Sequence, residues 1–204
     1  VLARRRLSLS VSRPPPMSVH HANRIFLTGF MGCGKSTVAT PLARILGLGC
    51  FDVDQEIERR TGKTISGIFA LEGERFFREV EREVLFETAV KQSIVVALGG
   101  GTVANEENFA FVKSAGLLVY LRVDFGTLLA RLRMKEDRPL LPRGDGTGSG
   151  EERLRETMNR LLSEREPFYL RADLIIVPDP EDPERTAANI AESVCRLSPR
   201  SAVE

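Results

Sequence analysis

The sequence predicts an α/β fold in which helices cover both faces of a parallel, five-stranded sheet. Short apolar runs alternate along the chain with longer amphipathic runs, which is the pattern of successive strand–helix–strand units. The runs at 93–98 and 116–122 are apolar on both faces, as expected of strands in the middle of a covered sheet. Both observations favour three layers, with the sheet between two layers of helices.

Five strands and seven helices are predicted. The strands are expected at 24–28, 49–53, 93–98, 116–122 and 174–177. The helices are expected near 35–46, 54–60, 74–90, 106–114, 125–134, 151–171 and 184–197. In the third helix, apolar side chains at helical spacing predict a buried stripe of Phe76, Phe77, Val80 and Val84.

Composition excludes several classes of protein. The first 23 residues carry four arginines and no acid, so the rest of the 204-residue chain has a small excess of acidic groups. It therefore lacks the excess of basic residues that is typical of nucleic-acid-binding proteins. No apolar run approaches the ~20 residues needed to cross a bilayer. Three widely spaced cysteines indicate a reducing compartment rather than disulfides or zinc, and both histidines precede the first strand. We expect a cytoplasmic monomer that acts without a histidine base.

The chain is expected to divide into an extension, one domain and a short tail. Residues 1–23 are Arg-rich, Ser-rich and acid-free, with three consecutive prolines, so we expect a disordered extension, within which Met17 is a candidate start of translation. A transit peptide, which would place the protein in a plastid, is the alternative. The domain should span 24–197, followed by a tail at 198–204.

One stretch inside the domain, about 135–150, has four glycines and almost no apolar pattern. A structureless loop of this length in a compact domain is usually functional or disordered. Because arginines including Arg131, Arg138 and Arg143 lie in or beside it, we interpret it as a mobile lid over an anionic ligand, with a solvated linker as the alternative.

The most specific motif is G-F-M-G-C-G-K-S at 29–36, a P-loop that follows an apolar run and opens a helical pattern. Its glycines let backbone N–H groups surround phosphate oxygens, and the helix N-terminus adds the positive end of its dipole. Lys35 is expected to reach the outer phosphates, and Ser36 to offer its hydroxyl to Mg²⁺. Cys33 is expected to be a small packing residue of the loop rather than a nucleophile. The motif predicts a nucleoside triphosphate as cofactor.

Two carboxylates, Asp52 and Asp54, end the second predicted strand. Two residues apart on a strand, they should share a face and point into the crevice at the carboxyl ends of the strands. They are candidates for positioning the metal and the acceptor, although Asp54 could instead cap the following helix. Three glycines at 99–101 follow the third strand and permit close approach of the backbone to a ligand.

Taken together, six segments resemble shikimate kinases over residues 24–195. The segments are the P-loop, F-D-V-D at 51–54, G-E with F-R at 73–78, G-G-G at 99–101, R-P-L-L at 138–141, and Arg165 before Pro167 and Tyr169. The resemblance implies a P-loop fold of the nucleoside-monophosphate-kinase type. It also implies ATP- and Mg²⁺-dependent phosphorylation of the 3-hydroxyl of shikimate, on the route to chorismate and the aromatic amino acids.

The resemblance also implies a role for each matching residue. Asp54 would orient the acceptor hydroxyl, Arg78 and Arg165 would hold the carboxylate, and Gly100 would contact the acceptor through its backbone. Asp52 would bind Mg²⁺ through water, beside Ser36. ATP would be bound by Gly32, Cys33, Gly34, Lys35, Ser36, Thr37, Arg131 and, from the lid, Arg138; Lys35, Asp54 and Arg138 would be catalytic. The loop at 179–183 departs from the family in having no basic residue for the adenine, and Arg185 is only a loose substitute.

Three alternatives stay open at this point. The first is another small P-loop kinase, acting on gluconate or a nucleotide. The second is a GTPase-like switch or a nucleic-acid-dependent ATPase, which the absence of an [N/T]-K-x-D motif disfavours. The third is an inactive ATP-binding module, which the presence of Lys35, Asp54 and Arg138 disfavours.

Overall fold

The computed structural model describes residues 23–133 and 148–197 and places all five predicted strands in one sheet. The strand order is β2-β3-β1-β4-β5, and every neighbouring pair is parallel. The strands are β1 (Arg24–Thr28), β2 (Gly49–Asp52), β3 (Ile94–Ala97), β4 (Leu117–Leu121) and β5 (Leu174–Ile176). The predicted α/β fold with a five-stranded parallel sheet is therefore confirmed.

Eight α-helices surround the sheet in the described part of the chain. They are α1 (Lys35–Leu46), α2 (Val53–Thr61), α3 (Ile65–Leu71), α4 (Gly73–Glu87), α5 (Glu106–Ala115), α6 (Phe125–Arg133), α7 (Gly148–Tyr169) and α8 (Pro183–Leu197). A 3-10 turn at Thr88–Val90 extends α4. None of these helices is both long and apolar enough to cross a membrane.

Helix α3 is missing from the sequence prediction. It has only seven residues, too few for a periodic apolar pattern to stand out. It begins where the side chain of Thr64 accepts a hydrogen bond from the N–H of Gly67 at 3.1 Å, a side-chain cap that sets the first turn. The helix is therefore defined by its cap and by packing against α4 rather than by its own periodicity.

The core is built on the central strands. Every residue of β3 and β4 is buried, as are Ile25, Phe26 and Leu27 of β1. Helix α1 contacts β1, β2 and β3 and packs against α8, while α5 contacts β4 and α4. Strands buried on both faces need no alternation of polar residues, which explains their continuous apolar sequences.

Helix α4 departs from its predicted buried stripe. Phe76 is 38% exposed, and the buried residues are Phe77, Glu81, Val84 and Leu85. These positions have the spacing of one helical face. The buried face therefore contains Glu81 and does not contain Phe76. The error arose because an apolar pattern cannot identify a buried charge whose partners lie elsewhere in the fold.

Several predicted features lie outside the described residues. The structure describes only residue 23 of the predicted extension at 1–23 and none of the tail at 198–204. Of the predicted lid at 135–150, the structure describes 148–150, which form the start of α7, and Arg138 lies outside the described part.

The parallel arrangement places four chain turns at one edge of the sheet. The carboxyl ends of β1, β2, β3 and β4 lie side by side because neighbouring strands run in the same direction. Ligands of open α/β sheets bind at this edge. The P-loop follows β1, the paired carboxylates follow β2 and the three glycines follow β3, so these segments are expected to meet.

We predict that Gly116→Ala destabilises the fold. A Cβ at Gly116, between α5 and β4, would lie 2.2 Å from the carbonyl oxygen of Arg24 on β1. The clash is with backbone, so the strand must shift, at a cost of about 1–3 kcal/mol in the free energy of unfolding measured with urea.

Gly126→Ala in the first turn of α6 is the matched control. There the nearest atom to a new Cβ is a side-chain oxygen of Asp124 at 3.3 Å. Alanine is the better helix former, so stability should be unchanged or higher by up to about 1 kcal/mol. Equal stability of both variants would contradict the close approach of Gly116 to β1.

Candidate active site

The P-loop joins β1 to α1 through glycines with positive φ. Gly29, Gly32 and Gly34 have φ of 142°, 82° and 97°, conformations that other residues rarely adopt. Gly34 is also the N-cap of α1. A Cβ at Gly29 would lie 2.8 Å from the carbonyl oxygen of Leu121 and 2.9 Å from Sγ of Cys33. The loop therefore needs glycine for its dihedral angles and for its close contact with β4.

Lys35 lies inside this loop and is only 9% exposed. Its Nζ donates to the carbonyl oxygens of Gly29 at 2.8 Å and Phe30 at 3.2 Å, and lies 3.7 Å from Sγ of Cys33. These partners carry no full negative charge, so a phosphate is a stronger partner for the ammonium group than the loop itself. Cys33 is 1% exposed, in agreement with its predicted packing role.

A cavity of about 370 Å³ opens over the P-loop. Arg131 lies on its wall and donates from Nη1 to the carbonyl oxygen of Gly32 at 3.0 Å. Asp54 and Gly100 form the opposite side. The structure thus gathers in one cavity all the predicted nucleotide-binding residues that it describes: Gly32, Cys33, Gly34, Lys35, Ser36, Thr37 and Arg131.

At its far end this cavity is lined by Pro178, Asp179, Pro180 and Pro183. Asp179 accepts hydrogen bonds from the N–H groups of Glu181 at 3.0 Å and Asp182 at 3.2 Å, which shapes the turn. Arg185 lies 3.6 Å from the same carboxylate. Arg185 is therefore engaged in the loop, and the wall offers apolar proline rings to a flat ligand such as a base.

The two aspartates do not lie on one strand face as predicted. Strand β2 ends at Asp52, whose Oδ1 accepts a hydrogen bond from the N–H of Gln55 at 3.1 Å and caps α2. Asp54 lies in the first turn of α2 and on the wall of the cavity. The chain turns into the helix one residue earlier than predicted, so Asp52 caps the helix instead of Asp54. The prediction that the two carboxylates share one strand face is wrong.

A second, smaller cavity of about 60 Å³ adjoins the first and shares Met31, Asp54 and Gly100 with it. Its apolar wall comes from the P-loop, α3 and α4, and its polar wall includes Arg78, Glu81 and Arg165. The lining apolar side chains are Met31, Ile65, Phe69 and Phe77. A compact acceptor with one apolar face and one anionic group fits this combination of walls.

The three glycines after β3 allow these groups to approach. A Cβ at Gly99 would lie 2.6 Å from Oε1 of Glu81 and 3.1 Å from Oδ1 of Asp54. A Cβ at Gly101 would lie 2.9 Å from Nη2 of Arg78. The backbone at 99–101 therefore lies close to the protein's own charged side chains, and its approach to a ligand stays a prediction.

Arg78 and Arg165 reach the small cavity from different helices, and they differ in whether they have acidic partners. Arg78, on α4, donates from Nη1 to Oε2 of Glu81 at 2.7 Å and from Nη2 to Oε1 of Glu74 at 3.1 Å. Arg165, on α7, is 5% exposed, and no acidic group of the described residues forms an ion pair with it. A buried cation without an acidic partner is costly unless a ligand supplies the negative charge.

Tyr169 connects α7 to the glycine turn. It lies one helical turn after Arg165 and is fully buried, and its hydroxyl donates a hydrogen bond to the carbonyl oxygen of Gly100. Its ring packs against that of Tyr120 on β4, with ring centroids 5.1 Å apart. The contact holds Arg165 and Gly100 in a fixed relation, so both can face one ligand.

Sequence reasoning missed some of these contributors. Glu81, Ile65 and Phe69 line the small cavity but were not singled out. The burial of Glu81 could have been inferred from its spacing, because it lies four residues after Phe77 on the apolar face of α4. The other two lie on α3, the helix that the pattern did not predict.

We predict that neither tyrosine ionises in the folded protein at the pH where free tyrosine does. Tyr120 and Tyr169 are the chain's two tyrosines, and burial raises the pKa of Tyr120 to about 12 and that of Tyr169 as well. Tyrosinate absorbance should stay low to about pH 11 in native protein and appear near pH 10 in denaturant.

The same shifts lower the stability at high pH. The unfolded chain loses tyrosine protons near pH 10 while the native protein keeps them, so the free energy of unfolding should fall above about pH 10. Circular dichroism at each pH separates native titration from unfolding. Tyrosinate forming near pH 10 in protein that is still folded would contradict the burial of both hydroxyls.

Comparison with known proteins identifies the family. A family model for shikimate kinase matches residues 31–195. The shikimate kinase of Chloroherpeton thalassium is 42% identical over 84% of this chain and 92% of its own length, and that of Chlorobium luteolum is 44% identical over 85% and 86%. Among solved structures, shikimate kinase from Acinetobacter baumannii in complex with shikimate has a TM-score of 0.75 at 37% identity, covering 85% of this chain and 93% of that one. Shikimate kinase from Bacteroides thetaiotaomicron has a TM-score of 0.74 at 35% identity, covering 84% and 97%. The chain belongs to the shikimate kinase family.

Proposed function

We propose that this protein transfers the terminal phosphoryl group of ATP to the 3-hydroxyl of shikimate, producing shikimate 3-phosphate on the route to chorismate and the aromatic amino acids. The observation that carries the proposal is the junction of two cavities at Asp54 and Gly100. One cavity has a P-loop and the other has two arginines. A phosphoryl donor and an anionic acceptor can therefore meet beside a carboxylate.

The P-loop side holds the nucleotide. Backbone N–H groups of the loop and the N-terminus of α1 bind the phosphates, and Lys35 exchanges the carbonyls of Gly29 and Phe30 for phosphate oxygens. Arg131 and the prolines at the far end of the cavity enclose the base. Arg138 is proposed to contact the transferring phosphate; it lies outside the described residues.

The residues at the P-loop also fit Mg²⁺. In the described part of the chain, no cluster of three or more His, Cys, Asp or Glu side chains could hold a metal by itself. Mg²⁺ in phosphoryl transfer keeps several waters and takes other ligands from phosphates, so a single hydroxyl beside the P-loop lysine suits it. Ser36 would hold the ion, and Asp52 one of its waters. When bound, Mg²⁺ neutralises charge on the transferring phosphoryl group.

The small cavity holds the acceptor. Arg165 and Arg78 bind the carboxylate, which supplies the negative charge that Arg165 lacks among the described residues. Asp54 accepts a hydrogen bond from the 3-hydroxyl, directs it at the phosphorus and takes its proton as the bond forms. The Gly100 backbone contacts the ring. The monomeric state is a further proposal about this protein.

We predict ADP release from ATP and Mg²⁺ with shikimate, and not with gluconate, AMP or water. Lys35→Met should lower kcat on the order of 10³-fold, because the charge that stabilises the transferring phosphoryl group is lost. Lys91→Met is the control, since Lys91 is exposed and lies over the ring of Phe51, away from the P-loop. Equal release with gluconate, or a Lys35→Met enzyme within tenfold of wild type, would reject the assignment.

A further prediction tests how much the carboxylate of the acceptor contributes to its recognition. Replacing the shikimate carboxylate by a carboxamide should cost roughly 10²-fold in kcat/KM, since two guanidinium groups lose an anionic partner. Arg165→Ala should remove most of this preference for acid over amide, and Arg78→Ala should do likewise.

Arg160→Ala is the matched control for Arg165→Ala. Arg160 lies on the same helix, exposed, and pairs with Glu164 at 3.1 Å. The control should keep the full preference for the acid. Arg165→Lys, which keeps the charge but loses the planar fork, should fall between the two. An Arg165→Ala enzyme that still prefers the acid by the wild-type factor would show that another cation binds the carboxylate.

A further inference from the structure

A hydrogen-bonded chain runs from half-buried Arg78 on the wall of the acceptor cavity through Glu81 to Thr102. Nη1 of Arg78 donates to Oε2 of Glu81 at 2.7 Å, and the hydroxyl of Thr102 donates to Oε1 of Glu81 at 2.6 Å. Glu81 is 1% exposed and Thr102 is fully buried. The chain joins α4 to the turn after β3.

The Thr102 hydroxyl determines how Glu81 meets Arg78. A carboxylate with both oxygens free readily takes a guanidinium in a two-point, parallel contact. With Oε1 occupied by Thr102, Glu81 meets Arg78 through Oε2 and one nitrogen. The other donors of Arg78 go to Glu74, in a pair whose side chains are 31% and 55% exposed. Exposed ion pairs are weak, so an incoming carboxylate can displace Glu74.

Two hydrogen bonds of its own backbone hold Thr102 in place. Its N–H donates to the carbonyl oxygen of Gly99 at 3.2 Å, and its carbonyl oxygen accepts from Nδ2 of Asn108 at 2.9 Å. A Cβ at Gly99 would lie 2.9 Å from the Thr102 hydroxyl oxygen and 2.6 Å from Oε1 of Glu81. The glycine thus leaves the space in which the hydroxyl and the carboxylate meet.

We propose that Thr102 is a positioning residue for recognition of the acceptor carboxylate. Its hydroxyl restricts Glu81 to a single contact with Arg78, so the guanidinium keeps its orientation and the donors that bond Glu74 can be taken over by the ligand carboxylate. The proposal rests on the proposed function, in which Arg78 binds that carboxylate. Thr102 does not line the P-loop cavity, so its effect falls on the acceptor and not on the nucleotide.

The test compares Thr102→Val, which removes the donor at nearly constant shape, with Thr102→Ser, which keeps it. Thr102→Val should raise KM for shikimate about tenfold, the cost of a hydrogen bond to a charged group. KM for ATP and kcat should stay within about twofold, and the acid-to-amide ratio should fall. Thr102→Ser should resemble wild type. If Thr102→Val does not fold, Thr102→Ala replaces it.

Thr88→Val is the matched control for loss of a buried hydroxyl. Thr88 is fully buried at the end of α4, and its hydroxyl donates to the carbonyl oxygen of Leu85 at 2.6 Å. The control should lose stability and keep the wild-type KM for shikimate. In a Glu81→Gln background, Thr102→Val should add little, because Thr102 acts through Glu81.

Three results would overturn the proposal: an unchanged KM for shikimate in Thr102→Val, an equal rise in KM for ATP, or a full additional effect in the Glu81→Gln background. Failure of the proposed function is distinguishable from these. In that case the wild-type enzyme itself would release no ADP with shikimate, and the proposal for Thr102 would fall with it.

Discussion

The active site depends on the contact between two glycine-rich turns that follow neighbouring parallel strands. Strand β1 pairs with β3, and the N–H of Leu98 continues the pairing onto the carbonyl oxygen of Leu27 at 3.0 Å. Beyond the strands, a Cβ at Gly100 would lie 3.2 Å from the backbone nitrogen of Met31 in the P-loop. Met31 and Gly100 line both cavities, so a side chain at Gly100 would intrude where the two cavities meet.

Two buried cations, Lys35 and Arg165, and the half-buried Arg78 surround this contact, and each is held differently. Lys35 rests on backbone carbonyls, Arg78 on carboxylates, and Arg165 has no acidic ion-pair partner among residues 23–133 and 148–197. Buried charges without full compensation favour ligands that bring the opposite charge. Under the proposed function, ATP supplies this charge on the P-loop side, and the acceptor carboxylate supplies it on the side of the two arginines.

Helix α7 shows how one element can serve both stability and chemistry. Arg165 and Tyr169, one turn apart, face the glycine turn, and the Tyr169 hydroxyl is bonded to the carbonyl of Gly100. Arg165 and the Gly100 backbone, both proposed to contact the acceptor, are thereby positioned by the same helix. The prolines that line the nucleotide cavity come instead from the loop before α8 and from the first residue of that helix, so the proposed base and acceptor sites are lined by separate elements.

The sequence by itself determined the α/β class, the P-loop and all five strands to within one residue at each end. These features depend on local hydrophobic periodicity or on the spacing of glycines, which the sequence shows directly. It did not determine α3, whose seven residues carry too little periodicity, nor the cap at Asp52, which depends on where β2 ends. Only the tertiary structure brought Glu81 and Thr102 together behind Arg78, across 21 residues of sequence. The buried carboxylate of Glu81 is stabilised by a partner distant in the chain, and that partner cannot be predicted from the local sequence pattern.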